Sequence, residues 1–148
     1  MTTNDMLLYY FQLNHRVTHQ NIDSITHEES LVFGLKGGSC INRVFGHMVA
    51  TREKALEILG AEKVCPTEMY DNYKRGSAEI TPETAKNFGE IISLFNKSQQ
   101  ALEAVLSSFQ FNDVEVTKRI EFLAFHEAYH VGQLGIMRRF VGKEGVIK

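Results

Sequence analysis

Four stretches of the chain repeat apolar residues every three or four positions, and this period constrains the fold more than any other feature. The clearest stripe comprises Phe88, Ile91, Ile92, Phe95, Leu102, Val105, Leu106 and Phe109. Such spacing places side chains on one face of an α-helix. No stretch shows the convincing alternation that is typical of a β-strand. The pattern therefore predicts an all-α protein.

Turn signals between these stretches predict where each helix begins and ends. The expected helices span residues 4–25, 40–59, 81–109 and 115–141. Thr81 is expected to cap the third helix, with Pro82 at its first helical position. The long connections 26–39 and 61–80 are expected to be loops. Four long helices with two long crossovers predict a four-helix bundle.

The size and composition of the chain predict one domain. A chain of 148 residues is long enough to build a single core, so we expect one domain over residues 1–148. The hydrophobic fraction of 43% excludes a disordered or collagenous protein. Cys40 and Cys65 are too few for a disulfide framework and suit a reducing compartment. For Cys40, a buried and inert thiol is the favoured interpretation.

Charge and hydropathy argue against two classes of partner. Sixteen basic and eighteen acidic residues give a net charge of −2, which offers no field for nucleic acid or anionic lipid. No apolar run approaches the ~18 residues of a transmembrane helix. The first residues also lack the positive charge of a secretory signal. We therefore expect a cytoplasmic protein that binds a small molecule, with no nucleic-acid or membrane partner.

Two pairs of histidines have the i, i+4 spacing that places both imidazoles on one helix face. His15 and His19 share a row with polar residues, and this row is expected to be a solvated surface. His126 and His130 share a row with apolar residues such as Leu134, which should face the core. Buried imidazoles need a partner for each ring nitrogen, and a metal ion satisfies that need well.

A third histidine, His47, is expected to reach the same core from the second helix. Two ligands at i, i+4 and one from a facing helix form a three-nitrogen set with open coordination positions, as in catalytic zinc sites. A hydrogen-bonded core histidine is the competing interpretation. The residues thus leave two interpretations open: hydrogen-bonded core histidines, or one divalent ion on His47, His126 and His130, with zinc as the default and nickel, manganese or iron as alternatives.

The segment from His126 to His130 also matches the metalloprotease pattern H-E-x-x-H. The longer protease pattern needs glycine at position 133 and histidine at position 136, where this chain has Gln133 and Ile136. Another protease type takes a carboxylate from a later helix, and only Glu144 is available after His130. The sequence therefore disfavours peptide hydrolysis.

The fourth-helix segment His126-Glu-Ala-Tyr-His130-Val-Gly-Gln133, together with Gly46-His47, resembles the DinB superfamily of YfiT-like bundles. That family joins a G-H motif on the second helix to an H-E-x-x-H-x-G-Q motif on the fourth. The resemblance spans nearly the whole chain. It implies an up-down-down-up four-helix bundle, a divalent metal on the three histidines and frequent homodimers. Some members are S-transferases or isomerases that use bacillithiol, mycothiol or glutathione.

The resemblance predicts the metal ligands more specifically than it predicts the reaction. A thiol-dependent S-transferase is the first hypothesis, and a metal-dependent hydrolase or a non-catalytic, stress-related metal-binding protein are the alternatives. Gln133 is a candidate for orienting a bound water or substrate, and capping a neighbouring loop is an equal alternative. Glu127 is a candidate base, although a role behind the ligands or between helices is favoured. Lys36, Lys74 and Arg75 are candidates for holding a cofactor carboxylate, against the favoured solvated surface.

Overall fold

The protein is described by a computed structural model that covers residues 1–34 and 36–147. Its helices are α1 (Thr3–Ile22), α2 (His27–Ser30), α3 (Ile41–Ile58), α4 (Thr67–Tyr73), α5 (Phe88–Leu106) and α6 (Val114–Phe140). The described residues form no β-strand. The prediction of an all-α protein is confirmed.

The four long helices pack together as a ring. α1 and α3 each pack against both α5 and α6. Among the described residues, the backbones of α1 and α3 do not approach each other closely, and neither do those of α5 and α6, so these two pairs occupy diagonal corners. The short helix α4 packs on α3, and α2 covers one end of α3 and α5. The predicted packing of four main helices is therefore present, with two short helices added.

Two apolar clusters give the direction of each helix. One cluster combines the end of α1 with the start of α3, the start of α5 and the end of α6, as shown by Ile22, Val44, Phe95 and Leu134. The other combines the opposite ends of the same helices, as shown by Leu7, Leu56, Leu106 and Ile120. α1 and α6 therefore run in one direction, and α3 and α5 run in the other.

Buried polar side chains tie α1 to α6 between and beside these clusters. Asn14 donates its amide to the carbonyl of Ala124 at 3.0 Å, and Asn21 donates to the carbonyl of Val131 at 2.9 Å. A helical carbonyl has a spare lone pair, so these bonds satisfy the buried amides without breaking the α6 ladder. They fix the register of α6, the helix that carries two of the candidate ligands.

The third long helix begins later than the expected start after Thr81. The Thr81 and Thr84 side chains bond within a single turn, and α5 starts at Phe88 with Asn87 accepting from the Glu90 amide. Tertiary partners explain the difference: the Lys86 amide donates to the Tyr73 hydroxyl at 2.8 Å, and Asn42 donates to the Lys86 carbonyl at 3.0 Å. Those bonds use backbone groups that a helix would need.

The two expected loops also contain helix. The connection 26–39 includes α2, which Thr26 caps through a hydrogen bond from the Glu29 amide at 3.1 Å. The connection 61–80 includes α4, which ends in the buried Tyr73. The first long helix ends at Ile22 rather than near residue 25. No described helix is long and apolar enough to cross a membrane.

Candidate metal centre

The structure brings His47 of α3 to His126 and His130 of α6. One ring nitrogen from each residue lies within 4.8 Å of the other two. The Nε2 atoms of His126 and His130 are 3.1 Å apart. The ring centroid of His47 lies 5.4 Å from that of His126 and 5.0 Å from that of His130. The three side chains predicted as ligands therefore form one cluster.

The elements that hold these residues follow from local sequence. On α6, Val131 and Leu134 are buried beside the histidine row, so the apolar contacts of this helix turn both imidazoles toward α3. On α3, Met48, Ala50 and neighbouring apolar residues are buried, which orients the face that carries His47. All three histidines are only partly buried, so the cluster lies at the margin of the core rather than at its centre.

Two of the three imidazoles have their second nitrogen fixed by a hydrogen bond. His47 Nδ1 donates to the Tyr73 carbonyl at 2.8 Å, and His130 Nδ1 donates to Gln133 Oε1 at 2.6 Å. Each bond selects the tautomer whose Nε2 carries a free lone pair. Metal-binding histidines are oriented by partners of this kind. Tyr73 is 26 residues away from His47 in the sequence, and no motif links the two residues.

The glycine before His47 explains how Tyr73 reaches that position. A Cβ atom at residue 46 would overlap the Tyr73 ring. Gly46 therefore lets α4 approach α3 closely enough for the Tyr73 backbone to bond His47. The Tyr73 hydroxyl also donates to Asn42 Oδ1 at 2.6 Å, which holds the ring in place. The glycine of the G-H pair thus has a packing reason, which is the close approach of the Tyr73 ring.

Burial lowers the pKa of all three histidines. The pKa of His126 falls to about 4. Burial is the largest cause, and the charges of the neighbouring His130 and His47 lower the pKa further. For His47 and His130 burial is again the largest cause, partly opposed by the bonds to Tyr73 and Gln133. The imidazoles are therefore neutral at pH 7, which is the form that binds a metal ion.

The donor set fits a divalent ion. Metal–nitrogen bonds of about 2.1 Å place ligand nitrogens about 3.4 Å apart in a tetrahedron and about 3.0 Å apart in an octahedron. The 3.1 Å between His126 and His130 lies between these values. His126 Nδ1 is buried without a partner among the described residues, so Nε2 is its available contact with the cluster. The fixed tautomers of His47 and His130 leave Nε2 as the free ligand atom of each ring, and one ring nitrogen from each of the three histidines lies within 4.8 Å of the other two.

A cavity of about 250 Å³ opens beside the cluster and gives a small molecule access to it. His47 and His126 form part of its wall, together with Thr51, Tyr70 and Phe122. The Thr51 hydroxyl lies 3.5 Å from His47 Nε2. A three-nitrogen centre beside such a cavity can accept a further ligand from solution.

Glu127, the candidate base of the H-E-x-x-H pattern, faces the bundle core. Its Oε2 accepts from Arg52 Nε at 2.7 Å, and its Oε1 accepts from Arg52 Nη2 at 2.8 Å. Both side chains are almost fully buried, at 0% and 2% exposure. Arg52 also donates to the Phe95 carbonyl at 3.1 Å and lies over the Phe95 ring. Glu127 is thus held between α3, α5 and α6 and does not line the cavity.

The prediction that His15 and His19 form a solvated row is wrong. His15 stacks on Phe95 with ring centroids 4.8 Å apart, and His19 Nε2 lies 2.7 Å from Asn96 Oδ1. Burial lowers the pKa of His15 to about 4, and the positive charge of Arg52 adds to this effect. The neighbours of His15 and His19 along α1 are polar, whereas the residues that cover the two rings belong to α5.

Both cysteines are buried and unpaired. Burial raises the pKa of each thiol, to about 11 for Cys65. Protonated and inaccessible thiols are poor nucleophiles. This agrees with the interpretation of Cys40 as an inert core residue.

No protein-family model, curated protein or solved structure matches the chain. Function is therefore inferred from the geometry of the three-histidine cluster and its surroundings.

Proposed function

We propose that this chain is a DinB-like protein that binds one divalent ion through His47, His126 and His130 and acts as a thiol-dependent S-transferase. The observation that carries the proposal is the meeting of three imidazoles beside an open cavity. The directions of the long helices, with α1 and α6 opposite to α3 and α5, agree with the up-down-down-up bundle that the resemblance implies.

The residues around the cluster would have different roles in such a site. His47, His126 and His130 would hold the ion, and Tyr73 and Gln133 orient two of the rings. A divalent ion bound there would supply Lewis acidity and favour the deprotonated form of a thiol. Phe122 and Leu123 give the cavity an apolar wall that limits water near the sulfur.

The proposed transfer balances without a redox partner. The thiol sulfur bonds to an electrophilic carbon of the second substrate, and the leaving group departs with the electron pair of the broken bond. The thiol proton passes to solvent. No protein side chain is modified, which agrees with the inaccessibility of both cysteines.

The position of Glu127 gives less support to the hydrolase alternative. A metal-dependent hydrolase of the H-E-x-x-H type uses this glutamate as its general base. Here both carboxylate oxygens of Glu127 accept bonds from Arg52 in the core. We assign Glu127 a role in positioning α6 rather than in proton transfer.

Metal content measured by elemental analysis tests the ligand assignment. The protein should be purified without a histidine tag, because a tag can introduce nickel. We expect about one zinc, nickel, manganese or iron ion per chain. His126→Ala and His130→Ala should each lose the ion and keep their helical circular dichroism. His19→Ala is the matched control, since it removes one member of the i, i+4 pair on α1 and should retain the metal. Full metal retention in both α6 variants would refute the assignment.

Activity assays separate the three hypotheses. The metal-loaded protein should accelerate the reaction of glutathione or a related thiol with an aryl chloride electrophile, and His130→Ala should not. Turnover of a simple ester without thiol would favour the hydrolase. Metal binding with neither activity would favour the non-catalytic protein. A loss of helix content on metal removal would indicate a structural ion, because its binding energy would then contribute to folding.

A further inference from the structure

The cavity beside the histidines continues into a second cavity between α3 and α6. The two share Lys54, Phe122 and Leu123, and the second has a volume of about 300 Å³. We call this continuous surface the α3–α6 groove. One end of the groove is at His47 and His126, and the other end is near the start of α6.

The ionised side chains along this groove all have the same sign. Its basic residues are Lys54, Lys74, Arg75, Lys118 and Arg119, and no acidic residue is among the described residues that line it. The chain as a whole has more acidic than basic residues, 18 against 16. The absence of acidic residues from the described lining of the groove therefore differs from the composition of the whole chain.

Two of these charges are unpaired and close to the histidines. Lys74 is 2.8 Å from Asp71, and Lys118 is 2.9 Å from Glu115, so both have acidic partners outside the groove. Lys54 and Arg75 form no ion pair within residues 1–34 and 36–147. Both line the same cavity as His47 and His126. They are available to a ligand that reaches the three-histidine cluster.

The wall between these charges is apolar. Ala50, Phe122 and Leu123 line the part of the groove next to the histidines, and Ile58 extends it. An apolar wall with a few charged groups is typical of small-molecule sites, where the charges fix orientation. The two adjoining cavities, of about 250 and 300 Å³, together have the size of an ordinary small-molecule site.

We propose that the α3–α6 groove selects a small anionic substrate, whose sulfur faces the three histidines and whose carboxylate or phosphate is held by Lys54 and Arg75. This inference rests on the proposed function, because it places the thiol at that same site. Lys54 and Arg75 would be specificity-determining residues, acting on the charge of the substrate rather than on the transfer.

A pair of thiols that differ only in charge tests the proposal. 3-Mercaptopropionate and 3-mercaptopropionamide have nearly the same shape, and only the first carries a carboxylate. Titration of each into cobalt-loaded protein, followed by visible absorption, gives a Kd for each thiol. We expect Lys54→Met with Arg75→Met to reduce the preference for the carboxylate about fivefold relative to wild type, which is the scale of two partly exposed charge contacts. Added salt should reduce the wild-type preference as well.

Matched variants isolate the two charges from the net charge of the protein. Lys97→Met removes an exposed lysine on α5, outside the groove, and should leave the preference unchanged. Lys54→Glu should shift the preference toward the amide. Equal ratios of the two Kd values in wild type, the double variant and Lys54→Glu would overturn the inference.

The same titration distinguishes failure of this inference from failure of the proposed function. If cobalt fails to bind the wild-type protein, the metal site is refuted and the inference is refuted with it. If cobalt binds and His130→Ala removes it, but charge does not affect thiol affinity, the inference alone is refuted. If cobalt binds the wild-type protein and the double variant loses the wild-type preference for the carboxylate, both the proposed function and this inference are supported.

Discussion

At the scale of single residues, the second nitrogen of each imidazole decides how well the first can bind a metal. The partners are a backbone carbonyl for His47 and a side-chain amide for His130. Gln133 is within reach because it is three residues after His130 on the same helix, which sequence spacing shows directly. Tyr73 comes from a different helix, and only the fold brings it to His47.

Gln133 is therefore predicted to tune metal affinity through the orientation of His130. Gln133→Leu should weaken metal binding about 10- to 100-fold, because it removes the acceptor that fixes the His130 tautomer. Gln133→Glu keeps an acceptor and should restore most of the affinity. Competition with a metallochromic chelator measures both variants, with Gln20→Leu on the exposed face of α1 as control. Equal affinity in Gln133→Leu and wild type would exclude a positioning role.

At the scale of helices, the pair Arg52–Glu127 joins the two elements that carry the candidate ligands. Arg52 is one residue after Thr51 on α3, and Glu127 is one residue after His126 on α6. The pair lies in the core, so its geometry restricts how α6 can slide or rotate against α3. The H-E-x-x-H pattern thus contributes a helix-positioning contact in addition to the two histidines.

Breaking this pair should destabilise the bundle strongly. Glu127→Ala leaves the Arg52 charge buried without a partner and should lower the free energy of unfolding by about 3–5 kcal/mol. Replacing both residues, with Arg52→Met and Glu127→Leu, removes the unpaired charge and should recover most of this loss. Urea denaturation of the metal-free proteins measures each value.

An exposed ion pair on the same helix provides the comparison. Glu115→Ala breaks the pair with Lys118, in which both side chains are more than 60% exposed, at 76% and 64%. Its effect should be at most about 1 kcal/mol. A Glu127→Ala effect as small as that of Glu115→Ala would show that Glu127 is not a structural contact.

At the scale of the whole molecule, α6 presents an uncharged face that no described element covers. Phe125, Tyr129 and Ile136 are 58–68% exposed on this face. Glu127 is the one Asp, Glu, Lys or Arg residue between positions 125 and 136, and it points into the core. The face is about 17 Å long at the α-helical rise. Large exposed apolar patches are typical of protein interfaces.

We propose that a second copy of the chain covers this face, because an uncharged and exposed apolar surface of this length is typical of a protein interface. Phe125→Glu with Ile136→Glu places charges at the contact and should convert a dimer to a monomer in sedimentation equilibrium. Val114→Glu is the matched control, since Val114 is equally exposed at 65% but is at the start of α6. A wild-type protein that remains monomeric at high micromolar concentration would contradict the proposal.

Sequence periodicity and spacing were enough to predict the helical class, the four long helices and the three histidines that the structure brings together. Periodicity at three and four residues is a local property, and it fixes which side chains share a helix face. The His126–His130 pair follows from that period alone. The fourth helix, predicted over 115–141 and found at Val114–Phe140, shows how well such a pattern locates a long element.

Contacts between helices could be known from the fold alone. The start of α5 at Phe88, the partial burial of His15 and the role of Glu127 depend on residues far away in sequence: Tyr73, Phe95 and Arg52. The basic groove likewise combines side chains from α3, α6 and the segment after α4. Helical period gives the direction of a side chain around its own axis. The partner that it meets depends on how the four helices pack.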